Sequence, residues 1–128
     1  LDMVDITAQV QQLLCSLTGA ESAWDGAVLI FVPHTTAAVT INENADPAVP
    51  RDLQAAWRAL VPALDYTHAE GNSPAHFLAS LVGPSVVVPV QAGRLVLGTW
   101  QAVFLCEFDG PRQRTVQVTP LGSRLCPG

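Results

Sequence analysis

Lysine is absent from this chain of 128 residues, and charge of either sign is scarce. All six basic residues are arginine, eleven residues are Asp or Glu, and charged residues make up 13% of the chain, about half of the usual share. The net charge of −5 argues against a nucleic-acid partner, which would require a basic surface. Without lysine, Schiff-base chemistry and a P-loop lysine are both excluded.

Cysteine is also rare, and its three positions lie far apart. Cys15, Cys106 and Cys126 fit neither a disulfide framework nor a CxxC metal pair, so we expect a reducing, cytoplasmic location. Asp2 and Asp5 stand where a signal peptide would carry basic residues, so no signal peptide is expected.

Long apolar stretches are present, but they are interrupted. The segment 71–93 carries no formal charge and is long enough to span a bilayer, yet Asn72, His76 and three prolines break it into a short helix and a strand. We therefore expect no membrane association. With 49% hydrophobic residues the chain is not disordered, and its length predicts a single domain over 1–128.

Apolar residues at helical spacing predict three helices. The first covers roughly 6–17, with Asp5 as its cap and Gly19 as its stop. Asp46-Pro47 begins the second and Ser73-Pro74 the third, because a capping residue followed by proline is typical of a helix start. The inward side chains predicted for these two helices are Leu53, Trp57, Leu60 and Val61, then Phe77, Leu78, Leu81 and Val82.

The remaining apolar segments predict strands separated by turn residues. They are Gly26–Pro33, Thr36–Asn42, Val86–Val90, Arg94–Leu97, Trp100–Phe108 and Arg112–Thr119. The predicted fold class is α+β, a compact and largely antiparallel β-sandwich with helices packed on one side. Strands that read as buried on both faces in so small a chain suggest that subunits cover one another's sheets.

Three histidines are the first candidates for chemistry, because each lies at the boundary of a predicted element. His34 follows a strand, His68 lies in a loop and His76 is in the first turn of a helix. Neutral imidazoles bind zinc, and histidine also transfers protons near neutral pH. Three unrelated surface histidines fit the spacing equally, since no HxxxH-type pair is present.

Other polar groups suggest an anion site. The helix end at His76 favours an anion, as any helix N-terminus does. Arg112 and Arg114 share one face of a predicted strand and would clamp a phosphate or carboxylate, or else pair with Glu107 and Asp109.

Taken together, several segments resemble one family, the YjbQ-like family, whose members are labelled secondary thiamine-phosphate synthases. The match runs from about residue 5 to residue 118. The most specific segments are HTTAA at 34–38 and LGTWQ at 97–101. The others are Asn42–Asn44, Asp46-Pro47, Asp52-Leu53, Tyr66–His68, Asn72, Ala75-His76, Gly93–Leu95 and Glu107–Arg112.

The resemblance implies a compact α+β sandwich, a homotrimer and a site built from clustered histidines. It places His34, His68 and His76 in that site as catalytic groups or as ligands of a divalent metal (Zn or Mg). It adds Glu43 and Asp52 as supporting catalytic candidates, and Thr35, Thr36 and Arg112 as candidates for anion binding. Ala69 stands where the family often has asparagine, which puts one hydrogen bond of the site in question.

Three hypotheses follow. The first is a small-molecule enzyme acting on a phosphorylated or otherwise anionic substrate, with a secondary activity that condenses a pyrimidine pyrophosphate with a thiazole phosphate. The second is a non-catalytic, trimeric protein that binds a metal or an anion. The third is a structural subunit whose polar motifs serve packing.

Overall fold

The computed structural model describes residues 1–19 and 24–122, which form three helices and seven strands. In chain order these elements are β1 (Asp2–Asp5), α1 (Thr7–Thr18), β2 (Gly26–Phe31), β3 (Ala37–Glu43), α2 (Ala48–Leu60), α3 (Ser73–Val82), β4 (Ser85–Gln91), β5 (Arg94–Leu95), β6 (Gln101–Glu107) and β7 (Gln117–Leu121). Every strand pair is antiparallel, so the predicted α+β class is confirmed.

The strands form two sheets. One has three strands in the order β1-β6-β3, and the other has four in the order β5-β4-β2-β7. In the first sheet Val103 of β6 is opposite Ile41, and in the second Val28 of β2 is opposite Val88 on one side and Pro120 on the other. Both sheets therefore join strands from the two ends of the chain.

Side chains of the three-stranded sheet alternate between two cores, because successive residues of a strand point to opposite faces. Val103 packs in the core between the sheets, with Val28 and Ile30 of β2, whereas Phe104 and Cys106 face the helices. Both faces of this sheet are thus covered within one chain.

The helices take different places around the sheets. Residues of α2 and α3 pack on the outer face of the three-stranded sheet, as predicted for helices on one side. Helix α1 contributes Val10 and Leu14 to the core between the sheets. The side chain of Gln11 fixes α1 to the β4–β5 hairpin, since it donates to the Gly93 carbonyl (2.8 Å) and accepts from the Leu95 N–H (2.9 Å).

The predicted helix starts and stops agree with the structure to within one or two residues, although Ser73, predicted as the cap of the third helix, is its first residue and Asn72 precedes it. The carboxylate of Asp5 accepts the N–H of Thr7, and that of Asp46 accepts the N–H of Ala48, each at 2.9 Å. Gly19 and Gly83 end their helices with φ of 91° and 100°, a backbone conformation that glycine adopts without steric cost.

The outer face of the four-stranded sheet has apolar side chains at its centre that no other described element covers, and the polar residues Ser85, Gln91, Gln117 and Thr119 share this face. Leu29 and Phe31 of β2 are half-buried, Val87 is 56% exposed and Leu121 is also exposed. These side chains share one face because Leu29 is in register with Val87, and both alternate with residues of the inner core. We refer to this surface as the apolar sheet face.

Several sequence predictions are wrong in detail. Leu60 and Leu81 are more than half exposed, although both were predicted to point inward. The strand predicted over 112–119 begins only at Gln117, so Arg112 and Arg114 do not lie on a strand. Strand β1 was missed. Cys126 lies outside the described residues, and within them no helix has the length and apolar character needed to cross a membrane.

Candidate functional site

A cavity of about 400 Å³ opens where the β2–β3 loop, the segment before α3 and the segment before β7 meet. Six of the residues predicted from the sequence line it, namely His34, Thr35, Thr36, His68, His76 and Arg112. Its other lining residues are Pro33, Glu70, Asn72 and Arg114. Its volume is within the range of small-molecule sites in proteins. We refer to it as the arginine cavity.

His34 is oriented by a main-chain hydrogen bond from across the cavity. Its Nε2 accepts the N–H of Thr115 at 2.8 Å. In a neutral imidazole that accepts at Nε2, the proton is on Nδ1, so this bond selects the tautomer with an Nδ1–H donor. The same bond ties the segment before β7 to the β2–β3 loop.

His68 and His76 are in contact, with ring centroids 5.2 Å apart and planes at 86°. His68 is exposed and lies in the loop after α2, where the N–H of Gly71 donates to its carbonyl. His76 is half-buried in the first turn of α3. The loop before α3 and the first turn of α3 thus present a pair of imidazoles, eight residues apart in sequence, to one cavity.

A nearly buried ion pair supports the floor of the arginine cavity. The Arg114 guanidinium donates to both carboxylate oxygens of Glu107, at 2.6 Å and 2.5 Å, and the two side chains are 7% and 12% exposed. Its NH2 group also donates to the hydroxyl of the buried Thr36 at 2.8 Å and to the Thr36 carbonyl at 3.2 Å. Arg114 thereby fixes the start of β3 beside His34.

The ion pair shifts the titration of both partners. Burial raises the pKa of Glu107, but hydrogen bonds from Arg114 and from the Asp109 N–H, with the charge of Arg114, outweigh burial and hold that pKa below its usual value. The hydrogen bond to Glu107 raises the pKa of Arg114 against the opposing effect of burial. Both groups are therefore charged at neutral pH.

A second pair lies at the rim. Arg112 donates to the Asp109 carboxylate and to the Asp109 carbonyl, each at 2.9 Å, and its side chain is 50% exposed. The Nδ2 group of Asn72 donates to the same carboxylate at 2.8 Å. This hydrogen bond, followed by the charge of Arg112, lowers the pKa of Asp109. The ion-pairing alternative for Arg112 and Arg114 is thus confirmed.

Asn72 leaves one polar atom without a partner. Its Oδ1 is buried, and among the residues that the structure describes none donates a hydrogen bond to it. Buried oxygens are nearly always paired with protein, water or ligand, so this atom is a free acceptor at the site. The sequence offered one signal for it, since Asn72 directly precedes the Ser73-Pro74 helix start.

Two predicted catalytic residues lie elsewhere. Glu43 ends β3, seven residues beyond Thr36, which corresponds to roughly 20 Å along an extended strand. Asp52 is exposed on α2. Neither of them lines the arginine cavity, so this chain does not bring them to its histidines.

The histidines do not form a ready metal site. Over residues 1–19 and 24–122, no three His, Cys, Asp or Glu side chains are grouped so as to hold a metal ion. In addition, the Nε2 lone pair of His34 is engaged with Thr115, and its Nδ1 carries the proton. The zinc or magnesium site stays a prediction, and the present geometry does not fit a three-histidine set.

The fold and the cavity define a class: an α+β sandwich with a histidine- and arginine-lined site between loops. A family model described as UPF0047 protein YjbQ-like matches residues 1–123. The chain belongs to this family, and the resemblance noted from its sequence motifs is confirmed.

Relatives in other organisms are similar over most of their length. The UPF0047 protein YugU of Bacillus subtilis is 49% identical over 124 residues, covering 94% of this chain and 90% of that protein. The UPF0047 protein MJ1081 of Methanocaldococcus jannaschii is 44% identical, with 96% and 87% covered. A crystal structure of an uncharacterised family member from Clostridium acetobutylicum has a TM-score of 0.85 and 45% identity, covering 94% of this chain and 91% of that one.

Proposed function

We propose that this protein is an enzyme that acts on a small phosphorylated or otherwise anionic molecule in the arginine cavity. One observation carries the proposal. The sequence contains three histidines in all, and the three line the same cavity together with two arginines. Histidines scattered over the surface for solubility alone would not be expected to converge in this way.

The chemical roles follow from the contacts. With Nε2 engaged by Thr115, the Nδ1–H of His34 is a hydrogen-bond donor that can stabilise negative charge developing on a bound substrate. His68 and His76 provide a second proton-transfer site, because two imidazoles in contact offer both a donor and an acceptor. The half-exposed guanidinium of Arg112 is the group that meets an anion, since Arg114 is largely used by Glu107 and Thr36.

The orphan oxygen of Asn72 adds a requirement on the substrate. Asn72 lines the cavity, so its Oδ1, once exposed by a movement of the side chain, is complementary to an O–H or N–H group of a bound molecule. We therefore propose a substrate that carries both an anionic group and a hydrogen-bond donor.

The finer assignment, a secondary thiamine-phosphate synthase activity, rests on the family resemblance. That reaction condenses a pyrimidine pyrophosphate with a thiazole phosphate and releases pyrophosphate. Both reactants are anionic, which agrees with Arg112 at the rim. Departing pyrophosphate needs more positive charge than Arg112, with Asp109 paired to it, supplies. This is the reason to treat the activity as secondary.

A binding protein without turnover is the second candidate. Its support is that the Nε2 lone pair of His34 is already taken by the Thr115 N–H, so this imidazole can hydrogen-bond to a bound molecule but has no free basic nitrogen. The two candidates differ in what the histidines do, since binding requires hydrogen bonds and turnover also requires proton transfer.

The test replaces histidine by glutamine. In His34→Gln the amide oxygen can still accept the Thr115 N–H, but the side chain no longer transfers protons. His34→Ala is the matched variant, which lacks the acceptor as well as the imidazole. We expect a panel of phosphate and pyrophosphate esters, followed by ³¹P NMR, to show turnover that falls about 100-fold or more in His34→Gln and in His76→Gln. Turnover unchanged in both variants would refute the catalytic assignment. Phosphate binding without any turnover in the wild type would favour the binding protein.

We further propose that the chain forms the homotrimer implied by the family resemblance, with the apolar sheet face in the subunit contact. The support is that Leu29, Phe31, Val87 and Leu121 form an apolar surface on a sheet whose other face is already the core. A second copy of the chain is the occupant we expect, and the resulting contact would cover both faces of this sheet.

A further inference from the structure

A second cavity, of about 300 Å³, adjoins the arginine cavity. The two share His34, Thr35 and His76, so these residues form the boundary between them. The remaining walls of the second cavity are Ala37, Ala79, Ser80 and Pro84. We refer to it as the alanine cavity.

The two cavities differ in chemistry. Arg112, Arg114 and Glu70 line the arginine cavity, whereas no charged side chain lines the alanine cavity. Ala37 and Ala79 are buried and present methyl groups. An ionic group would lose hydration there without gaining a partner, and a small apolar group would lose unfavourable contact with water.

We propose that the substrate is a two-part molecule with its anionic group in the arginine cavity and a compact, uncharged, apolar group in the alanine cavity. This rests on the proposed function and names its substrate class. The bond that joins the two parts lies beside His34 and His76, because those side chains stand where the cavities meet. A free inorganic anion would fill one cavity and leave the other empty.

The small side chains of the alanine cavity support this division. Ala79 lies one helical turn after His76 on α3, so a larger side chain at this position would narrow the cavity. Ala37 lines the cavity at the start of β3, although its side chain belongs to the core between the sheets. The exposed Ser80 adds a hydroxyl at the entrance. The cavity thus has room for a single ring or a short branched chain.

The experiment compares two phosphonates that share a headgroup and cannot be hydrolysed. Calorimetric titration should show that phenylphosphonate binds about tenfold more tightly than methylphosphonate, because the phenyl ring removes apolar surface from water. In Ser80→Phe, which fills the entrance from an exposed helix position, the preference should fall to about one while methylphosphonate affinity is retained. Leu81→Phe is the matched control, since Leu81 is exposed on the same helix and lines neither cavity.

The outcomes separate this inference from the proposed function. Equal binding of the two phosphonates by the wild type, or a preference that survives in Ser80→Phe, overturns the two-part substrate and leaves the anion site standing. A preference that is lost equally in Leu81→Phe also overturns it. Failure of both phosphonates to bind the wild type overturns both the inference and the anionic substrate of the proposed function.

Discussion

Replacing Arg114 by methionine should destabilise the fold far more than the same change at Arg112. Arg114 is 7% exposed and its partner Glu107 is 12% exposed, so the substitution leaves a nearly buried carboxylate without its cation. It also removes the donor to the Thr36 hydroxyl. Breaking a buried ion pair from one side costs about 3–5 kcal/mol, and the residual exposure of Glu107 favours the lower end, about 3 kcal/mol. Urea unfolding at pH 7 measures this loss.

The loss should shrink in acid, and its sign follows from Glu107. In the wild type the pKa of Glu107 is lowered, so its carboxylate adds stability that is present above its unfolded pKa and is lost as pH falls through the folded pKa. In Arg114→Met burial is no longer opposed by the arginine, which raises this pKa above the unfolded value. The free-energy difference between wild type and variant should therefore decrease from pH 7 towards pH 4.

Arg112→Met is the matched control. Its ion pair with Asp109 is half exposed, and exposed pairs contribute about 0–1 kcal/mol. A second variant, Arg114→Met with Glu107→Leu, removes the isolated charge and should recover most of the stability. An Arg114→Met variant that loses no more than Arg112→Met, or a loss independent of pH, would show that the pair does not support the site.

Two further predictions concern the core and the apolar sheet face. Burial raises the pKa of the Cys106 thiol to about 12, so this thiol should be unreactive in the folded protein. In a Cys15→Ser, Cys126→Ser variant, DTNB should therefore label Cys106 only after urea unfolding. Rapid labelling of the native protein would contradict the packing. If the proposed homotrimer forms through this face, Val87→Glu should yield monomers in light scattering with an unchanged circular dichroism spectrum, because it places a charge at the apolar contact. A particle mass equal to that of the wild type would exclude this face.

Most elements could be predicted from sequence because their signals are local. The helix at 73–82 has proline at its start and glycine at its stop, and the buried strands are continuous apolar runs. Strand β1 was missed because it has four residues, of which one, Met3, is buried, so no alternation is visible. Its place is decided by pairing with β6, about 100 residues later in the chain.

The segment before β7 alternates in burial as a strand would, yet the strand predicted over 112–119 begins only at Gln117. Arg114 and Val116 do alternate in burial with Thr115, as a strand would. The Thr115 N–H, however, is taken by His34, and the Arg114 side chain turns to Glu107. In this segment hydrogen bonds that involve side chains replace the backbone hydrogen bonds of a β-sheet. The spacing of residues along the sequence does not reveal such partners.

The candidate site was predictable in part. Resemblance brought together the three histidines, Thr35, Thr36 and Arg112, and the structure places them around one cavity. Glu43 and Asp52 occur in the same motifs but lie outside that cavity, because a motif records neighbours in sequence and β3 carries Glu43 to the far end of the sheet. The sequence indicates Asn72 by its place before the helix start, but that its oxygen stays free depends on Asp109, which accepts from the Nδ2 group and is distant in sequence.

The strand order has a consequence for synthesis of the chain on the ribosome. Strands β1 and β3 both pair with β6, and β2 receives its second neighbour from β7, so each sheet needs residues from the last quarter of the chain. The three-stranded sheet cannot form until residue 107, the end of β6, has emerged from the ribosome. Until then the apolar faces of α2 and α3 have no sheet to pack against. Closing such distant pairs is slow compared with local helix formation. The newly made chain should therefore depend on chaperones that shield apolar segments until its final strands arrive.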